Sequence, residues 1–338
     1  MSKGREVQKF RHRLPRGLRL LPQRQRHPTP TGCGLPMQHQ SNVQGARSLP
    51  RTVVSVALAA IIPPSQRMPY ADPVRRRERA VGFDELMRTR SAEEYADFVL
   101  PLIGDRDWVL DVGCRPGSIT VGVAEVADHV IGVDVDAAEF TDARAYAAEH
   151  RIENVEFREG SVYQLGFADA SFDACTLLAM METLDDPLAG LAEVRRVVKP
   201  GGLVATSSIE YGGLILHGPN EPLLRRFYEL RLQLWEAQGD VHFYRGRELR
   251  GLLYRAGFVE VEALTTYVSY GTEERVRTFG LGRAADCEDE WYVDGLMRHG
   301  LAHQNEIDAL KQAWIRWARS PESFASFAWG RARGRRPS

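Results

Sequence analysis

The segment from Trp108 to Gly117 constrains the fold more than any other part of this chain. A short apolar run, Trp108 to Leu110, ends in an acid, Asp111, and turns through a loop carrying Gly113 and Gly117. Ser118 to Val126 follows with a helix-compatible composition, and a second apolar run, Val130 to Val133, ends in Asp134. Strand, glycine loop, helix and a strand tipped by an acid form the opening half of a nucleotide-binding α/β sheet. Glycine lets backbone approach a ligand, and the second acid can hydrogen-bond a ribose diol.

Spacing and charge narrow the nucleotide. A dinucleotide loop needs G-x-G-x-x-G, so that a pyrophosphate sits on the helix N-terminus. Here the loop glycines are Gly113 and Gly117 with Pro116 between them, and no G-x-x-x-x-G-K-[ST] phosphate loop occurs. Asp111 precedes the turn, where its anion repels phosphate and suits an ammonium group. Adenosine ribose, no phosphate, an ammonium and a sulfonium describe S-adenosylmethionine (SAM). The plainer alternative is that Asp111 caps a turn and Gly117 starts a helix.

Six landmarks in order carry a resemblance. Asp111 to Gly117 matches D-x-G-x-G-x-G except at its middle glycine, and Ile131-Gly132-Val133-Asp134 matches a second-strand acid. Gly160-Ser161-Val162 stands where G-D-A is common, and Ser171-Phe172-Asp173 matches S-F-D. Met181-Glu182-Thr183-Leu184-Asp185-Asp186-Pro187 stands for L-E-H-L-x-D-P, and Val197-Val198-Lys199-Pro200-Gly201-Gly202 for V-L-K-P-G-G. Over Trp108 to Thr206 the chain resembles class I SAM-dependent methyltransferases, close to the ubiquinone/menaquinone-biosynthesis group acting on small molecules. The resemblance implies SAM as cofactor, held by Asp111, Gly113, Cys114, Arg115, Gly117, Asp134, Val135, Ser161, Val162, Leu177 and Leu178. Three positions depart from the pattern: Arg115 replaces a glycine, Ser161 an acid and Thr183 a histidine. Arg115 either points outward or reaches SAM's carboxylate. Ser161 keeps a hydroxyl but loses a charge-assisted bond to adenine.

The pattern predicts an α/β fold: a doubly wound, mostly parallel, seven-stranded, Rossmann-like sheet. Strands are expected at Trp108–Asp111, His129–Asp134, Val155–Glu159, Phe172–Leu178 and Leu203–Ser208, with two more at Val259–Leu264 and Thr265–Tyr270. Helices are expected at Ser118–Val126, Ala137–His150, Pro187–Val198 and Gly246–Ala256. The predicted organisation is an extension over 1–67, helices over 68–103, a SAM-binding domain over 104–272 and a helical segment over 273–330. The domain includes an insertion over 209–245, whose amphipathic run Leu223–Glu236 either covers the substrate pocket or packs on the sheet edge. Trp314 and Trp317 are expected to bury against the body, and Arg331 to Pro337 to form a solvated basic tail.

Charge separates the ends of the 338-residue chain. Residues 1–67 hold twelve Lys and Arg against Glu6 alone, so with a net charge of −1 overall the remainder carries about −12. An acidic catalytic region argues against a nucleic-acid substrate. The Arg- and Pro-rich leader reads as disordered or as a mis-assigned start with the enzyme beginning near Met68; an organelle transit peptide is a further reading. The apolar run Thr52–Ile62 is too short to span a bilayer. Cys33, Cys114, Cys175 and Cys287 lie far apart without a C-x-x-C pair, giving no metal site or disulfide framework and fitting the cytoplasm.

The expected activity is methyl transfer from SAM to a small organic acceptor, with no nucleic-acid partner and no membrane span. Oligomeric state and acceptor are not legible. A general base is needed only where the acceptor must lose a proton, and Glu210, Tyr211, His217 and His242 are the candidates. A non-catalytic SAM-binding protein and a nucleotide-dependent oxidoreductase are the competing classes.

Overall fold

The computed structural model describes residues 87–239 and 241–338. The expectations for the 1–67 extension and for the first part of the 68–103 helices lie outside the described residues. Apolar β-prone runs become β1 (Trp108–Val112), β2 (His129–Asp134), β3 (Val155–Glu159), β4 (Phe172–Leu178), β5 (Val198–His217), β6 (Val259–Tyr270) and β7 (Phe324–Arg335). α1 (Ala92–Tyr95) precedes β1, and between the strands stand α2 (Ser118–Ala124), α3 (Phe140–Glu149), α4 (Pro187–Val197), α5 (Glu221–Gln238), α6 (Leu249–Arg255), α7 (Glu273–Asp286), α8 (Glu290–Arg298) and α9 (Gln304–Trp317).

The seven strands lie in the order β3-β2-β1-β4-β5-β7-β6. Neighbours from β3 through β5 pair parallel, while β7 runs antiparallel to both β5 and β6. The sheet is therefore mixed, with one reversed strand inserted next to the edge. Because side chains alternate across a strand, Val109 and Val130 pack with Val99 and Val123. Leu110 and Ile131 pack on the opposite face with Leu191, Val194 and Leu252. Asp186 caps α4, accepting from the Leu188 and Ala189 N–H groups, with Pro187 in the first turn where no donor is needed.

Two expectations change. Val259 to Tyr270 is one continuous strand, not two. The seventh strand comes instead from the far C-terminus, so the helical reading of 273–330 holds only through Trp317. From Trp329 to Arg335 large and small residues alternate with period two, which favours a strand over a helix or tail. Its arginines find partners: Arg331, 2% exposed, pairs with Asp97 and donates to the Glu94 carbonyl at 2.7 Å. Arg333 pairs with Glu262 at 2.6 Å, and Arg335 donates to the Gly201 carbonyl at 2.9 Å. The segment read as a solvated tail is an interior strand.

A separate core joins α5, α7, α8 and α9 to the ends of β6 and β7. Leu224, Phe227, Leu230 and Leu234 of α5 bury against Phe279, Tyr292, Leu310, Trp314 and Trp317. This core lies at the C-terminal end of β5, where the site is found.

Candidate active site

A cavity of about 340 Å³ opens at the C-terminal ends of the parallel strands. One side is formed at the C-terminal ends of β1 to β4 and the loops that follow them: Gly113, Arg115, Asp134, Val135, Ser161, Val162, Ala179 and Met180. The other is the helical cap, which contributes Tyr228, Arg231 and Trp235 from α5 with Arg283 and Asp286 from α7.

The loop after β1 is stitched to β2. The N–H groups of Gly113 and Cys114 donate to the Val133 carbonyl at 2.7 and 3.2 Å. Gly113 sits at φ 80°, and a Cβ there would lie 2.5 Å from Met180 Cγ. Only glycine combines that dihedral with that approach. Asp134 ends β2, 6% exposed, with Oδ2 accepting from the Arg115 N–H and Oδ1 from the Asp136 N–H, both at 3.1 Å. Each carboxylate oxygen has a second lone pair. The two backbone bonds thus orient the group at the cavity wall.

Arg115 has φ 46° where glycine is expected, and its guanidinium lies 3.3 Å from Glu139 Oε1. The side chain takes neither a solvent-facing pose nor a free one; it is ion-paired beside the cavity. Ser161 and Val162 line the cavity, with Ser161 Oγ accepting from the Tyr163 N–H at 3.3 Å.

Five of the expected cofactor residues stand elsewhere. Asp111 is 3% exposed and lies behind the loop, off the cavity wall, accepting from Thr120 Oγ1 at 2.6 Å and Thr176 Oγ1 at 2.7 Å. Burial pushes its carboxyl up while the two hydroxyls hold it down. It is a hub joining β1, α2 and β4. Cys114 packs with Val121, Phe140 and Phe157, and Gly117 starts α2 against Ala143. Leu177 and Leu178 point into opposite cores because they are neighbours on one strand; the residues past its end, Ala179 and Met180, reach the cavity.

Of the four base candidates, Tyr211 alone lines the cavity, stacked on Phe243 at 4.4 Å, and burial raises its phenol. Glu210 is turned away to Arg247 Nε at 3.0 Å and the Gly212 N–H at 3.0 Å; burial raises its carboxyl but these bonds outweigh that and lower it. His217 is exposed beside Glu221. His242, lowered first by burial and then by Arg245, is off the wall, its N–H donating to the Glu182 carbonyl at 2.8 Å.

Glu182 went unassigned in the sequence. It lines the cavity at 7% exposure, accepts from Ser208 Oγ at 2.7 Å, and has its carboxyl raised by burial. Arg90 also lines the cavity, with its Nε buried and unpartnered among the described residues. Arg231 carries a signal that was legible: it falls between Phe227 and Leu234 on the apolar face of α5, where a cation needs a partner.

With the geometry in place, the sequence over 110–206 matches the family model described as a methyltransferase domain. The chain is 41% identical over 133 residues to the probable methyltransferase ltbC of Aspergillus luteorubrus, covering 36% of this chain and 47% of that protein. It is 29% identical over 248 residues to the uncharacterized methyltransferase C1B3.06c of Schizosaccharomyces pombe, covering 68% and 84%. To the ubiquinone biosynthesis O-methyltransferase of Alkalilimnicola ehrlichii it is 36% identical over 116 residues, covering 33% and 47%. The match thus spans about half the length of the first and third relatives. The fold and these similarities define residues 110–206 as a class I SAM-dependent methyltransferase domain, with SAM as its cofactor. No described helix is long and apolar enough to cross a membrane.

Proposed function

We propose that the whole chain transfers the SAM methyl group by in-line displacement to a small organic acceptor. The observation that carries this reading is one cavity bounded both by the Gly113–Asp134 loop and by an aromatic cap. SAM, when bound, supplies an electrophilic methyl on a sulfonium with a neutral leaving group. Gly113 gives close backbone approach, the pinned Asp134 carboxylate accepts a ribose diol, and Ser161 with Val162 flank the base. Arg90, with its unpartnered buried Nε, suits the cofactor's carboxylate.

The cap excludes water and holds the acceptor near the methyl, and positioning of this kind supplies much of the catalysis in a displacement. Where the acceptor must lose a proton, Glu182 is the wall carboxylate to take it, its raised affinity for protons improving it as a base. Tyr211, held neutral by burial, orients by hydrogen bonding. The test is titration calorimetry with SAM, followed by label transfer from methyl-labelled SAM to a panel of small phenols, amines and acids. SAM binding with label in a small product supports the reading. Tight SAM binding with no transfer to any compound favours a SAM-binding protein without this activity.

A further inference from the structure

Four buried polar atoms on the cap side of the cavity have no hydrogen-bond partner among the described residues: Arg231 Nε, Arg283 Nε, Tyr228 Oη and Trp235 Nε1. All four can donate, and three can only donate. Their side chains are 9% exposed or less. Unmet donors at such depth are costly, and native structures keep few of them without a reason.

Charge points the same way. Arg231 Nη1 lies 2.8 Å and Arg283 Nη1 3.2 Å from a single oxygen, Oδ2 of Asp286. Two buried guanidiniums thus share one carboxylate and leave one positive charge over. Burial alone works against the Arg231 cation, but Asp286 holds it charged. The other wall acids are Asp134, Glu182, Asp185 and Asp289; Asp289 already accepts the Tyr292 N–H at 3.1 Å and Glu182 the Ser208 hydroxyl at 2.7 Å, and burial raises both of these carboxyls. Around this charge stand Tyr211, Tyr270, Phe279, Tyr292, Phe327 and Trp329.

We infer that the methyl acceptor is an aromatic compound bearing a carboxylate, which the Arg231–Arg283 pair and the Tyr228 hydroxyl receive. One surplus charge matches a monoanion better than a phosphate dianion, a guanidinium matches a carboxylate's two oxygens, and the rings match a planar body. This inference rests on the methyltransferase reading and names the substrate class of that site.

The experiment uses the full chain saturated with S-adenosylhomocysteine and titrates it with the hydroxybenzoate isomers and their methyl esters. At least one acid is expected to bind about tenfold or more tightly than its ester, as a charge-assisted pair requires. Arg283→Gln is expected to abolish that preference while leaving S-adenosylhomocysteine affinity unchanged. Asp286→Asn, of nearly equal volume, removes the competing anion and is expected to tighten the acid; it decides the matter if Arg283→Gln does not fold. Equal binding of acids and esters, no binding of any acid, or an Arg283→Gln loss confined to the cofactor overturns the inference. Failure of wild-type protein to bind SAM sinks the methyltransferase reading instead, so the two failures are distinguishable.

Discussion

The backbone N–H of Arg115 donates to Oδ2 of Asp134 at 3.1 Å, tying the loop after β1 to the acid that ends β2. The bond uses the main chain, so it does not depend on the side chain at 115. What the side chain adds is an ion pair with Glu139, and what it costs is a left-handed φ of 46°. The two effects oppose each other at similar size.

Arg115→Gly is therefore expected to leave SAM affinity within about threefold and stability within about 1 kcal/mol. Calorimetry at low and high salt measures it. A loss beyond tenfold that fades with salt means the guanidinium contacts the cofactor.

Asp134→Ala is expected to weaken SAM binding by about 1.5–3 kcal/mol, the range for hydrogen bonds to a charged group. It also frees the N–H groups of Arg115 and Asp136. Unchanged affinity in a folded variant removes this residue from the site.

Asp111 tests whether the first acid is structural. Asp111→Ala strands the Thr120 and Thr176 hydroxyls and is expected to cost about 1–3 kcal/mol or more in thermal or urea unfolding. Asp111→Asn keeps an acceptor and the volume, and is expected to bind SAM nearly as wild type does. A folded Asn variant that binds SAM poorly would place Asp111 in contact with the ligand after all.

Glu182 gives a pH dependence. Its carboxyl in the folded protein is raised above 4.5 by burial, so the folded state binds its proton more tightly than the unfolded state does. The resulting stability is fully present below the unfolded value and is lost as pH rises through the folded one. Glu182→Gln is neutral throughout. The melting temperature of wild type relative to this variant is expected to fall on going from pH 4 to pH 8, and a flat difference contradicts the assignment.

Deleting residues 331–338 distinguishes a strand from a solvated tail. The deletion removes the buried Arg331, Ala332 and their ladder with β5 and β6. A destabilisation greater than about 3 kcal/mol is expected, well beyond an ordinary surface change. A truncated chain with an unchanged melting curve shows the segment to be dispensable.

The parallel strands and the Gly113–Asp134 loop could be read from the sequence because their determinants are local. Strand apolarity, a glycine at a positive φ and an acid at a strand tip all fall within a short stretch. Even there, burial decided roles: Asp111 and Asp134 both end apolar runs, yet one faces two threonines and the other the cavity. Leu177 and Leu178 face opposite cores and stand off the cavity wall, because proximity to a strand end does not say which face a side chain takes.

What only the tertiary structure decided depends on pairings across long stretches of chain. The arginines of Phe324 to Arg335 looked like a solvated tail until Asp97, Glu262 and the Gly201 carbonyl supplied partners, and β5 and β6 supplied a slot between them. In the same way Arg231, Arg283 and Asp286 become one buried cluster only when α5 and α7 pack together. A charge in a sequence carries its sign but not its surroundings, and its surroundings set whether it is solvated, structural or aimed at a ligand.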